Sequence, residues 1–152
     1  MDDLYDTDIV TWSEQQAALL RRRAAGELVN DAEIDWPNVA EEIEDVGHSQ
    51  RDALESRIAT VLLHLFRLEA SPATDPRAGW RETVREQRRG IQRVLKRNPA
   101  LRQLVATIIN DEMTGARDDA RASLADYNEE PRVDMAGVTF TEEQVLGPWL
   151  PD

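Results

Sequence analysis

The 152-residue chain has no cysteine, only two histidines, and Lys96 as its single lysine. Without thiols, a cysteine nucleophile, a thiolate zinc site, an iron–sulfur cluster and a disulfide framework are all excluded. Aromatic residues make up only 5% of the sequence, although four of them are tryptophans. No apolar run approaches the roughly 20 residues that a membrane-spanning helix needs. The opening MDDLYDTDIV is acidic and lacks the basic segment and apolar stretch of a signal peptide. A cytoplasmic protein is the expectation. A Gly-x-Ser-x-Gly turn and a glycine-rich phosphate loop are missing as well. Ser49, Ser56, Ser71 and Ser123 therefore read as caps, helix faces or turns.

What the chain does have is charge. It is 32% charged with a net charge of −12, which disfavours nonspecific binding to nucleic acid or anionic membrane, because phosphate binding draws on a basic surface. The charge is segregated. Between Arg77 and Arg102 nine basic residues face only Glu82 and Glu86, so that segment is +7 within an acidic protein.

Apolar spacing and caps predict helices throughout, in a single domain covering residues 1–152. The first helix is expected from about Asp8 to Ala25, capped by Asp6 or Thr7 and stopped by Gly26. Its inward stripe would be Ile9, Trp12, Gln16, Leu19, Leu20 and Arg23, with Gln16 the weak point. Asp35 caps a second helix with Pro37 in its first turn, on which Trp36, Val39, Ile43 and Val46 form one apolar face. Gly47 interrupts it, and Ser49 with Asp52 resembles a capping box, so a third helix restarts, or the helix bends, near Ser49. From Leu54 to Leu68 that helix is apolar nearly all round, as the centre of a bundle would be. A fourth helix is expected from Gly79 to Arg97 and a fifth from Pro99 to Tyr127. An extended piece at Val138–Phe140 and a one-turn helix at Glu142–Leu146 follow, with Trp149 and Leu150 folding back onto the body. The fold class is all-α: a bundle of about five helices with a short irregular tail.

Six residues are candidates for a small polar pocket inside that bundle: Trp36, Glu42, His64, Trp80, Arg85 and Gln87. Glu42 borders the apolar face beside Val39 and Val46, so its carboxylate needs a partner, and Arg81, Arg85 or Arg88 would supply one. His64 sits on the most apolar helix, either as a hydrogen-bonded core histidine or as a general base or ligand. Glu41, Glu44 and His48 would share one helix face if the second helix continued through Gly47, and could then hold a divalent ion, but that face points to water. Di-iron chemistry wants Glu-x-x-His on two helices, and Val61 stands three residues before His64. No catalytic, cofactor-binding or metal residues are assigned.

The segments LYDTDIVTWSEQQAALLR, DWPNVAEEIEDVGHSQRDALESRIATVLLHLFRLEASP, GWRETVREQRRGIQRVLKRNPAL and TFTEEQVLGPWLP together resemble the bacterial and cyanobacterial domain-of-unknown-function family twenty-nine. The most specific parts are Asp35-Trp36 followed by Glu41-Glu42, the His64-Leu65 pair, and Trp80 before Arg85 to Arg88. The loop from Glu27 to Ile34 is longer than usual for the family. The resemblance implies a single all-helical domain in the bacterial cytoplasm and no established activity. The expected function is a small non-enzymatic protein-interaction module whose partner is another protein or a second copy of itself. The alternative is a metal-binding or hydrolytic enzyme using a carboxylate and histidine site.

Overall fold

The computed structural model describes residues 3–152 and is all-α, with no strand among them. Six helices succeed one another: α1 (Leu4–Thr7), α2 (Ile9–Ala24), α3 (Trp36–Ala70), α4 (Arg77–Arg97), α5 (Val105–Asp126) and α6 (Glu142–Leu146). Short 3-10 turns fill Asp31–Glu33, Pro99–Leu104 and Met135–Gly137. The chain divides into two compact units, one ending at His48 and the other covering Ser49–Asp152.

In the first unit, α2 starts one residue later than its sequence signals suggest. Asp8 is its cap, its carboxylate accepting from the Thr11 N–H, while the residues before it form α1, capped by Asp3. Gly26 at φ 84° ends the helix region in the left-handed conformation that favours glycine. Of the expected inward stripe, only Trp12 and Gln16 are buried. Gln16 is far from a weak point: its amide donates to the Glu33 carbonyl at 3.1 Å and accepts from the Asp35 N–H at 2.8 Å. Both ends of a buried amide are thereby satisfied. The Trp12 indole donates to Asp35, and Ile34 is buried. α2 is thus fastened to the turn that opens α3.

The helix does not restart at Ser49: α3 is one 35-residue helix that continues through Gly47. A glycine inside a helix costs only about 1 kcal/mol, and the apolar sequence on its C-terminal side anchors the ladder more strongly than that. Ser49 needs no cap and makes none.

The second unit holds the main core. Leu54, Ile58, Val61, Leu62, Leu65, Phe66 and Leu68 of α3 are all fully buried. They meet Val84, Ile91 and Leu95 of α4, and Val105, Ile108, Ala120 and Leu124 of α5. Each such side chain contributes about 1.5–3 kcal/mol relative to exposure, which identifies this half of α3 as the expected central helix. Met135, Phe140 and Val145 close the core from the tail. Phe140 packs edge-on against Phe66 at 4.8 Å and lies 6.1 Å from Trp149, so the C-terminal aromatics fold back as their sequence suggests. A Thr141/Gln144 capping box fixes α6.

Candidate functional site

The six candidates divide between the units, Trp36 and Glu42 in the first and His64, Trp80, Arg85 and Gln87 in the second. Glu42 accepts a 2.7 Å hydrogen bond from the Tyr5 hydroxyl, within the first unit. The bond holds the proton on the phenol, with nearby Glu41 and Asp45 adding to the effect, and pushes the Tyr5 pKa up to about 12. The arginine expected on Glu42 is employed elsewhere. Arg88 is buried in the second unit, where its guanidinium donates to the main-chain carbonyls of Val145 (2.9 Å), Gln144 (2.7 Å) and Trp149 (2.6 Å). It clamps the tail to α4. A guanidinium presents several donors in a planar fork, which suits it to three converging carbonyls. Burial, and then the neighbouring Arg85, lower its pKa.

Arg85 stays exposed beside Arg89 and Arg93, and among the described residues no ion pair holds Arg81, Arg85, Arg89 or Arg93. One side of α4 is thus a row of exposed arginines. Gln87 accepts from Arg57 at 3.0 Å. Gly90 permits this, since a methyl group there would overlap the Arg57 guanidinium.

His64 is half-buried. Its Nδ1 lies 2.9 Å from the Thr60 carbonyl one helical turn back. A carbonyl can only accept, so Nδ1 carries the proton. Desolvation pulls its pKa below the ordinary 6.5, and the charge of Arg67 acts in the same direction. Trp80 lines a cleft of about 800 Å³ in the second unit, together with Arg67, Asp75, Tyr127 and Glu129. The Arg67 Nε is buried there without a hydrogen-bond partner, while Glu129 is held by the Ser71 hydroxyl at 2.8 Å. Among the described residues no three His, Asp or Glu side chains stand close enough to hold a metal. Asp45 lies 3.7 Å from His48, both well exposed.

One feature of the first unit was not legible in the sequence. Trp36, Val39, Ile43 and Val46 do form a single face of α3, at the alternating three- and four-residue spacing of a helix-packing seam. On that face Trp36 is 46% exposed, Ile43 68% and Val46 67%, with Val39 half-buried. The reason lies in α2, which spends its two buried residues on the turn before α3 and leaves the seam uncovered. Arg23 lies 5.9 Å from the Trp36 ring. Surface isoleucine and valine scattered singly carry no message, but an ordered row of them does.

The seam lies in an acidic setting. Residues 1–48 contain thirteen carboxylates and three arginines, so they carry −10 of the net −12. Two of those arginines are already paired, Arg22 with Glu27 and Arg23 with Asp31. From Trp36 to Gln50 the helix has no arginine or lysine at all.

Comparison with known proteins adds a family. The match is to the model described as "Domain of unknown function DUF29", over residues 4–149. The chain belongs to the DUF29 family. The match spans both units and nearly the whole sequence, in agreement with the resemblance read from its segments. No curated protein and no solved structure matches the chain. Among the described residues, no helix is long and apolar enough to cross a membrane.

Proposed function

We propose that this DUF29 member is a non-enzymatic protein-interaction module of the bacterial cytoplasm, and that the first half of α3 is its contact surface. The observation that carries this reading is the ordered exposure of Trp36, Ile43 and Val46. Helix-in-groove recognition uses anchors at i, i+3, i+4 and i+7, the spacing this face presents. Tryptophan is enriched among the residues that dominate interface energetics. The hydrogen bonds of His64 to its own helix and of Glu42 to Tyr5 are compatible with this reading.

Photo-crosslinking tests the proposal. A photoreactive amino acid placed at Ile43 in the host cell should trap a protein partner, and the same group at Arg97, on the exposed part of α4, should not. Trapping should be lost when Trp36 and Val46 are both changed to serine. An absence of any adduct at Ile43, or identical adducts at both positions, overturns the proposal.

A further inference from the structure

We infer that the occupant of the α3 seam is a basic amphipathic helix of another protein, an inference that rests on the contact surface proposed above. With Trp36 and Ile43 at one core position of a heptad and Val39 and Val46 at the other, the flanking positions are Glu42 on one side and Ala40 and Gly47 on the other. Ala40 and Gly47 have short or absent side chains, so a second helix can approach closely along that edge. A Cβ built on Gly47 meets nothing within 4 Å. On the opposite edge stands Glu42, half-buried, with one carboxylate oxygen accepting from Tyr5 and the other left for an incoming helix, while Glu41, Glu44 and Asp45 lie exposed around the same helix. These carboxylates lie within a helix diameter of the seam, comparable to the Debye length at physiological salt. They therefore act on the partner without touching it.

Electrostatics then selects among occupants. A second copy of this chain would set −10 against −10 and would offer no cation to Glu42. Its one strongly basic helix, α4, does not remedy this. The apolar side of α4 (Val84, Ile91 and Leu95) is already buried, so its free side offers arginines without an apolar ridge. The occupant must bring both an apolar stripe, to cover Trp36, Ile43 and Val46, and lysine or arginine beside it. A basic amphipathic helix meets both requirements. Complementary charge of this kind speeds encounter and rejects acidic competitors more than it adds raw affinity.

The test uses the full chain and three synthetic peptides of about 21 residues, or three heptads. The first has leucine at the core positions and lysine elsewhere. The second replaces lysine with glutamate. The third is a shuffled lysine–leucine peptide of the first one's composition, without the heptad pattern. Binding is followed by titration calorimetry at low and high salt. The inference expects the first peptide to bind and to weaken by about tenfold or more at high salt. The glutamate and shuffled peptides should bind at least about tenfold more weakly. The double variant I43S/V46S should lose about tenfold or more of the affinity. E41Q/E42Q/E44Q/D45N should flatten the salt dependence while keeping helical circular dichroism. Equal binding of the glutamate or shuffled peptide, or binding indifferent to I43S/V46S, overturns the inference. Sedimentation of the chain alone supplies the remaining arm. A monomer of 17.2 kDa supports a foreign partner. A dimer abolished by I43S/V46S assigns the seam to a second copy, overturning the basic-helix inference while leaving the contact surface intact. Failure of the Ile43 crosslink removes the contact surface itself.

Discussion

The Tyr5 hydroxyl donates to the Glu42 carboxylate at 2.7 Å across 37 residues of sequence, joining the one-turn helix α1 to the helix that carries the exposed seam. Tyr5 also stacks edge-on against Trp12 at 4.8 Å, so a single ring connects α1, α2 and α3 of the first unit. Its titration reports on that arrangement.

Alkaline titration of the phenolate absorbance should show one tyrosine ionising near 12. Glu42→Gln removes the negative acceptor and should bring that transition down towards the ordinary 10. The sign for stability follows from linkage. The folded-state pKa is raised, so the contribution is complete below the unfolded value and disappears as pH climbs through the folded one. A transition near 12 that persists in Glu42→Gln would refute the pairing.

His64 responds to acid in the opposite sense. Its pKa is lowered by desolvation, so the unfolded chain binds a proton that the folded one resists. Stability attributable to this group is therefore full above 6.5 and declines as pH falls below that ordinary value. Urea midpoints should drop on acidification in the native chain, and less steeply in His64→Gln. Nuclear magnetic resonance of the two histidines should find the His64 midpoint below 6.5.

Gly47→Ala should stabilise the protein by about 0.5–1 kcal/mol, because alanine limits the unfolded chain and fits the helix without strain. Space is available, since nothing lies within 4 Å of a Cβ at that position. Thermal or urea unfolding would measure the gain. A loss would mean that α3 bends at Gly47 in solution.

Arg88→Met should cost about 2–4 kcal/mol, since it leaves three carbonyls of the tail without their donor. Arg88→Lys should recover little of this, because a single ammonium cannot reproduce the fork that reaches Gln144, Val145 and Trp149. Urea denaturation gives the cost. Limited chymotrypsin cleavage near Leu146 should quicken in both variants.

How much of this was written in the sequence depends on what each feature leaves behind. Apolar spacing and caps leave strong traces, and α4, α5, α6 and the central half of α3 are readable from them. Gly47 misleads because a local propensity of about 1 kcal/mol looks like a stop, yet it is overridden by packing further along the helix. The seam of Trp36, Ile43 and Val46 shows the limit of periodicity, which reveals that a face is apolar but not what covers it. Glu42 does have a partner, as its position demands, but a tyrosine supplies it and not an arginine. Arg88 was the least legible of all, since its acceptors are main-chain atoms common to every residue.

A guanidinium that grips only peptide carbonyls does not read the side chains it holds. The side chains at 144, 145 and 149 are constrained instead by the Thr141/Gln144 capping box, the burial of Val145 and the approach of Trp149 to Phe140. Deep mutational scanning should accordingly find Arg88 intolerant even of lysine, while the tail accepts any change that preserves its cap and its packing.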